Sequence, residues 1–120
     1  MERALAVENH IPERELKQLC RALGDLTRMR IVRHLVHERE VSVSDLAELL
    51  LLSQPLASWH LRILRRAGLL STRREGRQVY CSLNRHRITE FQQAIAELIQ
   101  PSQGQGKEEL WEKSALPSSA

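Results

Sequence analysis

Residues 53–70 read SQPLASWHLRILRRAGLL. Ser53 can accept a hydrogen bond from an amide of a first helical turn, Pro55 suits only that opening turn, and Gly68 suits a helix exit. A helix is therefore expected from Ser53 to Gly68. Gln54, Ser58 and Arg62 recur every four positions and share one side of it, with Pro55, Trp59 and Arg65 flanking. Ala57, Leu61 and Leu64 fall on the other side. The stretch thus reads as a helix held by its aliphatic residues and showing a polar stripe.

Working outward, Ser42 and Asp45 form an S-x-x-D helix start, in which the serine accepts from a backbone amide and the carboxylate can reach back to the cap. That third helix buries Val43, Leu46, Ala47, Leu49 and Leu50. It can run only to about Leu51 or Leu52, because Ser53 opens the next. Two short helices are therefore joined by a tight turn. Before them, Asp25 caps a second helix with Leu26, Met29, Ile31, Val32, Leu35 and Val36 as a wide apolar face, and HEREV follows as a polar turn. A first helix runs from Pro12 with Leu16, Leu19, Cys20 and Leu23 at helical spacing, and Gly24 ends it. Residues 1–11 carry no clear pattern and read as a flexible segment or a short extra helix.

After Gly68, LLSTRREGRQVYCSL reads as a strand, a Glu75-Gly76 turn and a second strand, with Val79, Cys81 and Leu83 alternating to one face. A last helix then runs from about Asn84 to Ile99, carrying Ile88, Phe91, Ile95 and Leu98 as a stripe, and Pro101 ends it. Residues 101–120 are rich in Gly, Gln and Ser and read as a disordered tail, with at most a turn or two of helix around Leu110 and Trp111.

A chain of 120 residues is enough for one domain and too short for two separate cores. Its aromatics are two Trp, one Tyr and one Phe, so the core must be aliphatic. No apolar run approaches the roughly 20 residues that cross a bilayer, and the start lacks the basic-then-apolar order of a secretory signal. A cytoplasmic protein without a membrane partner is expected. Cys20 and Cys81 lie far apart and form no C-x-x-C, so neither a disulfide framework nor a zinc knuckle is indicated. The net charge of +3 is uneven: residues 53–87 hold eight arginines against Glu75 alone, a net +7 that leaves the remainder at −4. Such a segment is the footprint of a polyanion partner, of which double-stranded DNA is the commonest. Paired carboxylates, an activated nucleophile and a phosphate loop are all missing, so neither an enzyme nor a cofactor is expected.

Helix, tight turn, helix and basic hairpin make a winged helix-turn-helix: a mainly α fold of about five helices with a two-stranded antiparallel wing, over residues 12–100. The second helix of the pair fits a major groove, and the hairpin arginines can reach phosphates or a neighbouring groove. LGDLTRMRIVRHL, followed by VSDLAELLLLSQPLASWHLRILRRAGLLSTRREGRQVYCSL, resembles the ArsR/SmtB family of winged-helix repressors. The D-x-T-R-x-R-I helix start, the DLA of the third helix, S-x-x-x-x-S-x-H-L-x-x-L, AGLL and the G-R-x-V-Y hairpin carry the likeness. The expected DNA-facing residues are Ser53, Gln54, Pro55, Ser58, Trp59, His60, Arg62 and Arg65 on the helix, with Arg73, Arg74 and Arg77 on the wing. Glutamine can pair with adenine edges, and arginine with guanine or phosphate. His60 lies toward the packed side, where a structural or phosphate-positioning role fits better than catalysis or metal binding. The resemblance further implies a homodimer built by the first and last helices, which assigns Leu16, Leu19, Ile88, Phe91 and Ile95 to that contact.

The resemblance also raises the question of a signal. Family members of the arsenic and cadmium type place C-x-C just before the DLA, where this chain has Val41, Ser42, Val43 and Ser44. Those of the zinc type use Asp and His on the last helix, where NRHRITEFQQAIAELIQ puts arginine and leucine instead, and arginine has no lone pair to donate. The usual metal sites are therefore expected to be missing. His34 and His37, three apart and beside Glu38, have a spacing that can chelate, although histidine at a helix C-terminus also complements the dipole. Cys20 and Cys81 are candidates for a thiol switch, and both read as small buried side chains. His10 and His86 have no evident partner, and an unknown effector stays open. Two alternatives stand beside the DNA-binding regulator: a winged module that docks a protein through the tail around Trp111, and a redox-responsive repressor using Cys20 or Cys81.

Overall fold

The computed structural model describes residues 11–100. The expectations for residues 1–10 and for the tail with Trp111 lie outside the described residues. The order of elements is α1 (Glu13–Leu23), α2 (Leu26–His37), β1 (Val41–Ser42), α3 (Val43–Leu50), α4 (Gln54–Arg66), β2 (Leu70–Glu75), β3 (Gln78–Leu83) and α5 (Arg85–Ile99). The result is a winged helix-turn-helix with α3 and α4 as the helical pair.

Local chemistry sets most of the boundaries. The side chains of Asp25, Ser42, Ser53 and Asn84 accept hydrogen bonds from the amides of Arg28, Asp45, Leu56 and Arg87, so four of the five described helices start on a side-chain cap. At the end of α4, Gly68 takes a φ of +87°, and its amide and that of Leu69 return to the carbonyls of Arg65 and Leu64. The same ending closes α3, where the left-handed residue is Leu51 at φ +58° and the bonds run from Leu51 to Glu48 and from Leu52 to Ala47. In the hairpin, Glu75 pairs with Gln78, which makes Gly76 and Arg77 the two central residues, one place beyond the expected Glu75-Gly76. Gly76 supplies the positive φ, +63°, that a two-residue loop of this kind needs.

The sheet has three strands rather than two, in the order β1-β3-β2 and all antiparallel. The added strand pairs Val41 with Cys81 and Ser42 with Tyr80. Ser42 is thus both a strand end and the cap of α3. The core gathers Leu19, Ile31, Leu35, Leu46, Leu64, Leu69 and Cys81, all fully buried. Arg87 fixes α5 to α1 through Glu15 at 2.6 Å and holds Glu90 on its own helix at 3.2 Å. At the start of the same helix, Arg85 donates to the carbonyl of Val36, the penultimate residue of α2.

Several expected placements change. Ile11, read with the flexible segment, is buried in the core. Leu16 and Leu19, assigned to a dimer contact, point into the chain's own core, and Leu19 retains no exposed surface to offer a second copy. Cys20, read as buried, is exposed. Leu49 is exposed as well, because the run of leucines around it lets two phases of a helix look equally apolar. On α2 only Ile31 and Leu35 are buried, while Leu26, Met29 and Val36 lie at the surface, so the buried stripe is narrower than its composition suggests.

Candidate nucleic-acid interface

The helix α4 is anchored on one side by Ala57, Leu61 and Leu64, all buried. That leaves Gln54, Pro55, Ser58, Trp59, Arg62 and Arg65 exposed, with Ser53 exposed at the cap. Gln54 donates its side-chain amide to the hydroxyl of Ser44 at 2.8 Å, which ties the first turns of α3 and α4 together. Arg65 reaches the hydroxyl of Thr72 on β2 at 3.5 Å, the outer limit of a hydrogen bond.

His60 is 6% exposed and faces inward. Its Nδ1 lies 3.2 Å from Nη1 of Arg28 and 3.9 Å from the carboxylate of Asp25. A guanidinium can only donate, so Nδ1 accepts and the ring proton sits on Nε2. Burial lowers the His60 pKa; Asp25 pulls against that and the charge of Arg28 adds to it. This is a neutral, positioning histidine. Its ring meets that of Trp59 edge-on at 5.0 Å, and Trp59 is 49% exposed.

The residue that organises this side of the helix is Arg28. Its Nε donates to the carbonyl of Ala22 at 2.6 Å, Nη2 to that of Arg21 at 3.4 Å, and the guanidinium lies 5.9 Å from the Trp59 ring centroid. One side chain therefore joins the end of α1, the start of α2 and the middle of α4. The sequence carried a signal for it in D-x-T-R: the cap Asp25 accepts the amide of Arg28, which fixes where that side chain begins.

On the wing, the arginines divide. Arg74 and Arg77 are exposed and meet no carboxylate among the described residues. Arg73, expected alongside them, is engaged: Nε and Nη2 both donate to Glu40 at 2.8 Å, Nη1 donates to Glu75 at 2.8 Å, and the group lies 4.8 Å from the Tyr80 ring centroid. Hydrogen bonds to these two carboxylates hold the Arg73 pKa above its ordinary value, and the bond from the Arg73 guanidinium holds that of Glu40 below its own. Arg73 closes the wing against the loop before β1, and its charge is already answered.

The candidate sensor residues do not come together. Cys81 is buried, its thiol donates to the carbonyl of Val41 at 3.3 Å, and burial pushes its pKa up to about 11. Cys20 is exposed on α1. His34 is half-buried and His37 exposed at the end of α2, and no three His, Cys, Asp or Glu side chains gather among the described residues. Nor, among those residues, is any helix long and apolar enough to cross a membrane.

Comparison with known proteins is consistent with this geometry. A helix-turn-helix domain family matches residues 23–73. The cadmium resistance transcriptional regulatory protein CadC homolog of Staphylococcus aureus is 36% identical over 77 residues, which cover 64% of this chain and 64% of that protein. The arsenical resistance operon repressor of Escherichia coli is 44% identical over 69 residues, 58% of this chain and 59% of that protein. The chain thus spans about three fifths of the length of these relatives. Among solved structures, HlyU from Vibrio cholerae is 31% identical, with a TM-score of 0.59 over 72% of this chain and 94% of that one. An ArsR family transcriptional regulator is 25% identical, with a TM-score of 0.66 over 86% of this chain and 96% of that one. Three of the four, the two relatives and the ArsR family structure, are by name regulators. With five helices among the described residues, the paired α3 and α4 and a three-stranded wing, the chain belongs to the ArsR/SmtB family of winged helix-turn-helix transcriptional regulators.

Proposed function

We propose that this protein is a cytoplasmic DNA-binding transcriptional repressor that acts as a homodimer on an inverted-repeat operator and lacks the usual metal switch of its family. The observation that carries this reading is the exposed row of Gln54, Ser58 and Arg62 on α4, a helix whose opposite side is locked by Ala57, Leu61, Leu64 and His60. A rigid helix with a polar edge is what a major groove accepts. Arg74 and Arg77, exposed at the wing and without a carboxylate partner among the described residues, supply phosphate or minor-groove contacts, while Arg73 shapes the wing and His60 positions α4 from within. Pro55 and Trp59 contribute apolar contact at the rim of the groove. The S. aureus relative is by name a cadmium resistance transcriptional regulatory protein homolog and the E. coli relative an arsenical resistance operon repressor, which agrees with this activity.

For the dimer, Ile88, Phe91 and Ile95 on α5 are only half-buried in the single chain, and Leu98 and Ile99 beyond them are exposed. A second copy across a two-fold axis would cover that stripe and double the phosphate contacts.

Fluorescence anisotropy against duplexes from the protein's own promoter tests the reading. Arg62→Ala and Gln54→Ala are expected to lose about 1–3 kcal/mol of preference for the operator over a scrambled duplex. Arg77→Ala is expected to weaken all duplexes alike and to reduce the salt slope by about one. If Gln54→Ala and Arg62→Ala both leave affinity and preference untouched, α4 is not the reading helix. Absence of any binding at low salt favours a protein-docking module instead.

A further inference from the structure

Beside α4, on the side away from Gln54, a groove of about 350 Å³ opens between α1, the start of α2 and the second half of α4. It is lined by Gln18, Arg21, Ala22, Arg28, Ile63 and Arg66. Three of these six are arginines and none is an acid. Arg21 and Arg66 are exposed and meet no carboxylate among the described residues, so no described acid answers their charges in the groove. Gln18 adds an amide, whose nitrogen lies 3.5 Å from the carbonyl of Arg66 and whose oxygen has no donor among the described residues. Ala22 and Ile63 give the groove an apolar floor. Like charges held together beside a small apolar surface suit an anion that carries a compact apolar body, and guanidinium groups favour carboxylate and phosphate by their fork of donors. The volume is at the lower end of the range for small-molecule sites.

We infer that this groove binds a small organic anion, a carboxylate or phosphate ester with a compact apolar group, and that its occupancy is the signal read by the protein. The regulatory half of this inference rests on the DNA-binding function proposed above. The coupling element is Arg28, which lines the groove and also holds His60 and Trp59 of α4. Its bond from Nη2 to the Arg21 carbonyl is long at 3.4 Å, so that donor is the one an anion can recruit most easily. Turning the guanidinium toward the groove draws Nη1 away from His60 and loosens the seat of α4. Anion and DNA then alter one another's affinity by the same factor.

Calorimetric titration of the full chain without DNA, using phenyl phosphate and benzoate as probes, tests the site. At least one probe is expected to bind, with Arg21→Gln and Arg66→Gln each weakening it by about tenfold or more. Both side chains are exposed, so the urea midpoints of the variants should match that of the parent chain. No heat with either probe, or equal binding by the double variant, overturns the assignment. Anisotropy with operator DNA and no probe forms the second arm: the double variant is expected to keep the parent affinity and salt slope. A slope smaller by about two would mean that these arginines hold backbone phosphates of DNA, and would overturn the small-molecule site. Because one arm contains no DNA and the other no probe, the groove and the DNA-binding function can fail independently. Where both stand, saturating probe should shift the operator affinity, and operator should shift the probe affinity equally.

Discussion

Arg28 and His60 form a polar contact beneath α4, beside the buried Ala57, Leu61 and Leu64, and the chemistry of that contact has a pH signature. The folded chain holds His60 neutral, chiefly by burying it, so its pKa lies below the ordinary value near 6.5. As pH falls through about 6.5 the unfolded chain takes up this proton first, so the stability due to His60 is complete above that pH and is lost progressively below it. His60→Gln keeps an acceptor and cannot titrate. Its urea midpoint should therefore fall less than that of the parent between pH 7.5 and pH 5.5, and an equal fall in both would show that the histidine is not the titrating group. Arg28→Met should cost about 1.5–3 kcal/mol at neutral pH, since it removes charged donors from the Ala22 carbonyl and from His60 together. The two thiols should also separate in a titration with Ellman's reagent at pH 8. Cys20, exposed, reacts in the folded chain; Cys81, buried and with its pKa near 11, reacts only after unfolding in urea.

At the scale of elements, what the sequence discloses is what neighbours in the chain decide. Ser42, Ser53 and Asn84 announce helix starts because a cap bonds to an amide three residues on. Gly68 announces an exit because a left-handed residue is cheapest there without a Cβ. The strand at Val41 and Ser42 stays hidden, since two residues show no alternation and the strand exists only through β3, some 40 positions away. The engagement of Arg73 is hidden for the same reason, as its main partner Glu40 lies 33 residues upstream. Leu49 misleads because AELLLL offers several equally apolar faces, and only the packing of α3 chooses among them. One local irregularity gives a prediction. Leu51 is 91% exposed at φ +58°, a backbone setting that costs a non-glycine residue about 1 kcal/mol, and it has almost no packing to lose. Leu51→Gly should accordingly raise stability in urea by up to about 1 kcal/mol without changing the helices.

For the whole molecule, the uneven charge noted in the sequence becomes a surface with a direction. Much of the excess lies on α4 and the wing tip, while Arg73 and Arg87, formally part of the same basic segment, are paired with Glu40, Glu75, Glu15 and Glu90 of the chain itself. Counting arginines thus overstates the charge available to a polyanion. The burial of the two apolar stripes was legible in part: Ile88, Phe91 and Ile95 of α5 stay half-buried, whereas the stripe of α1 is consumed by the core, which the helical period cannot foretell. Phe91→Asp with Ile95→Asp should convert the proposed dimer to a monomer in sedimentation and lower operator affinity steeply. If the mass is unchanged, the contact lies elsewhere. On the proposed reading face, the bond between Gln54 and Ser44 has a last consequence. The serine holds one of the two hydrogens of the glutamine amide. In the proposed complex, a base that takes two bonds from the glutamine gains over that serine, whereas one that takes only the held hydrogen exchanges one bond for another, so the free protein would already contain a competitor against near-miss sites.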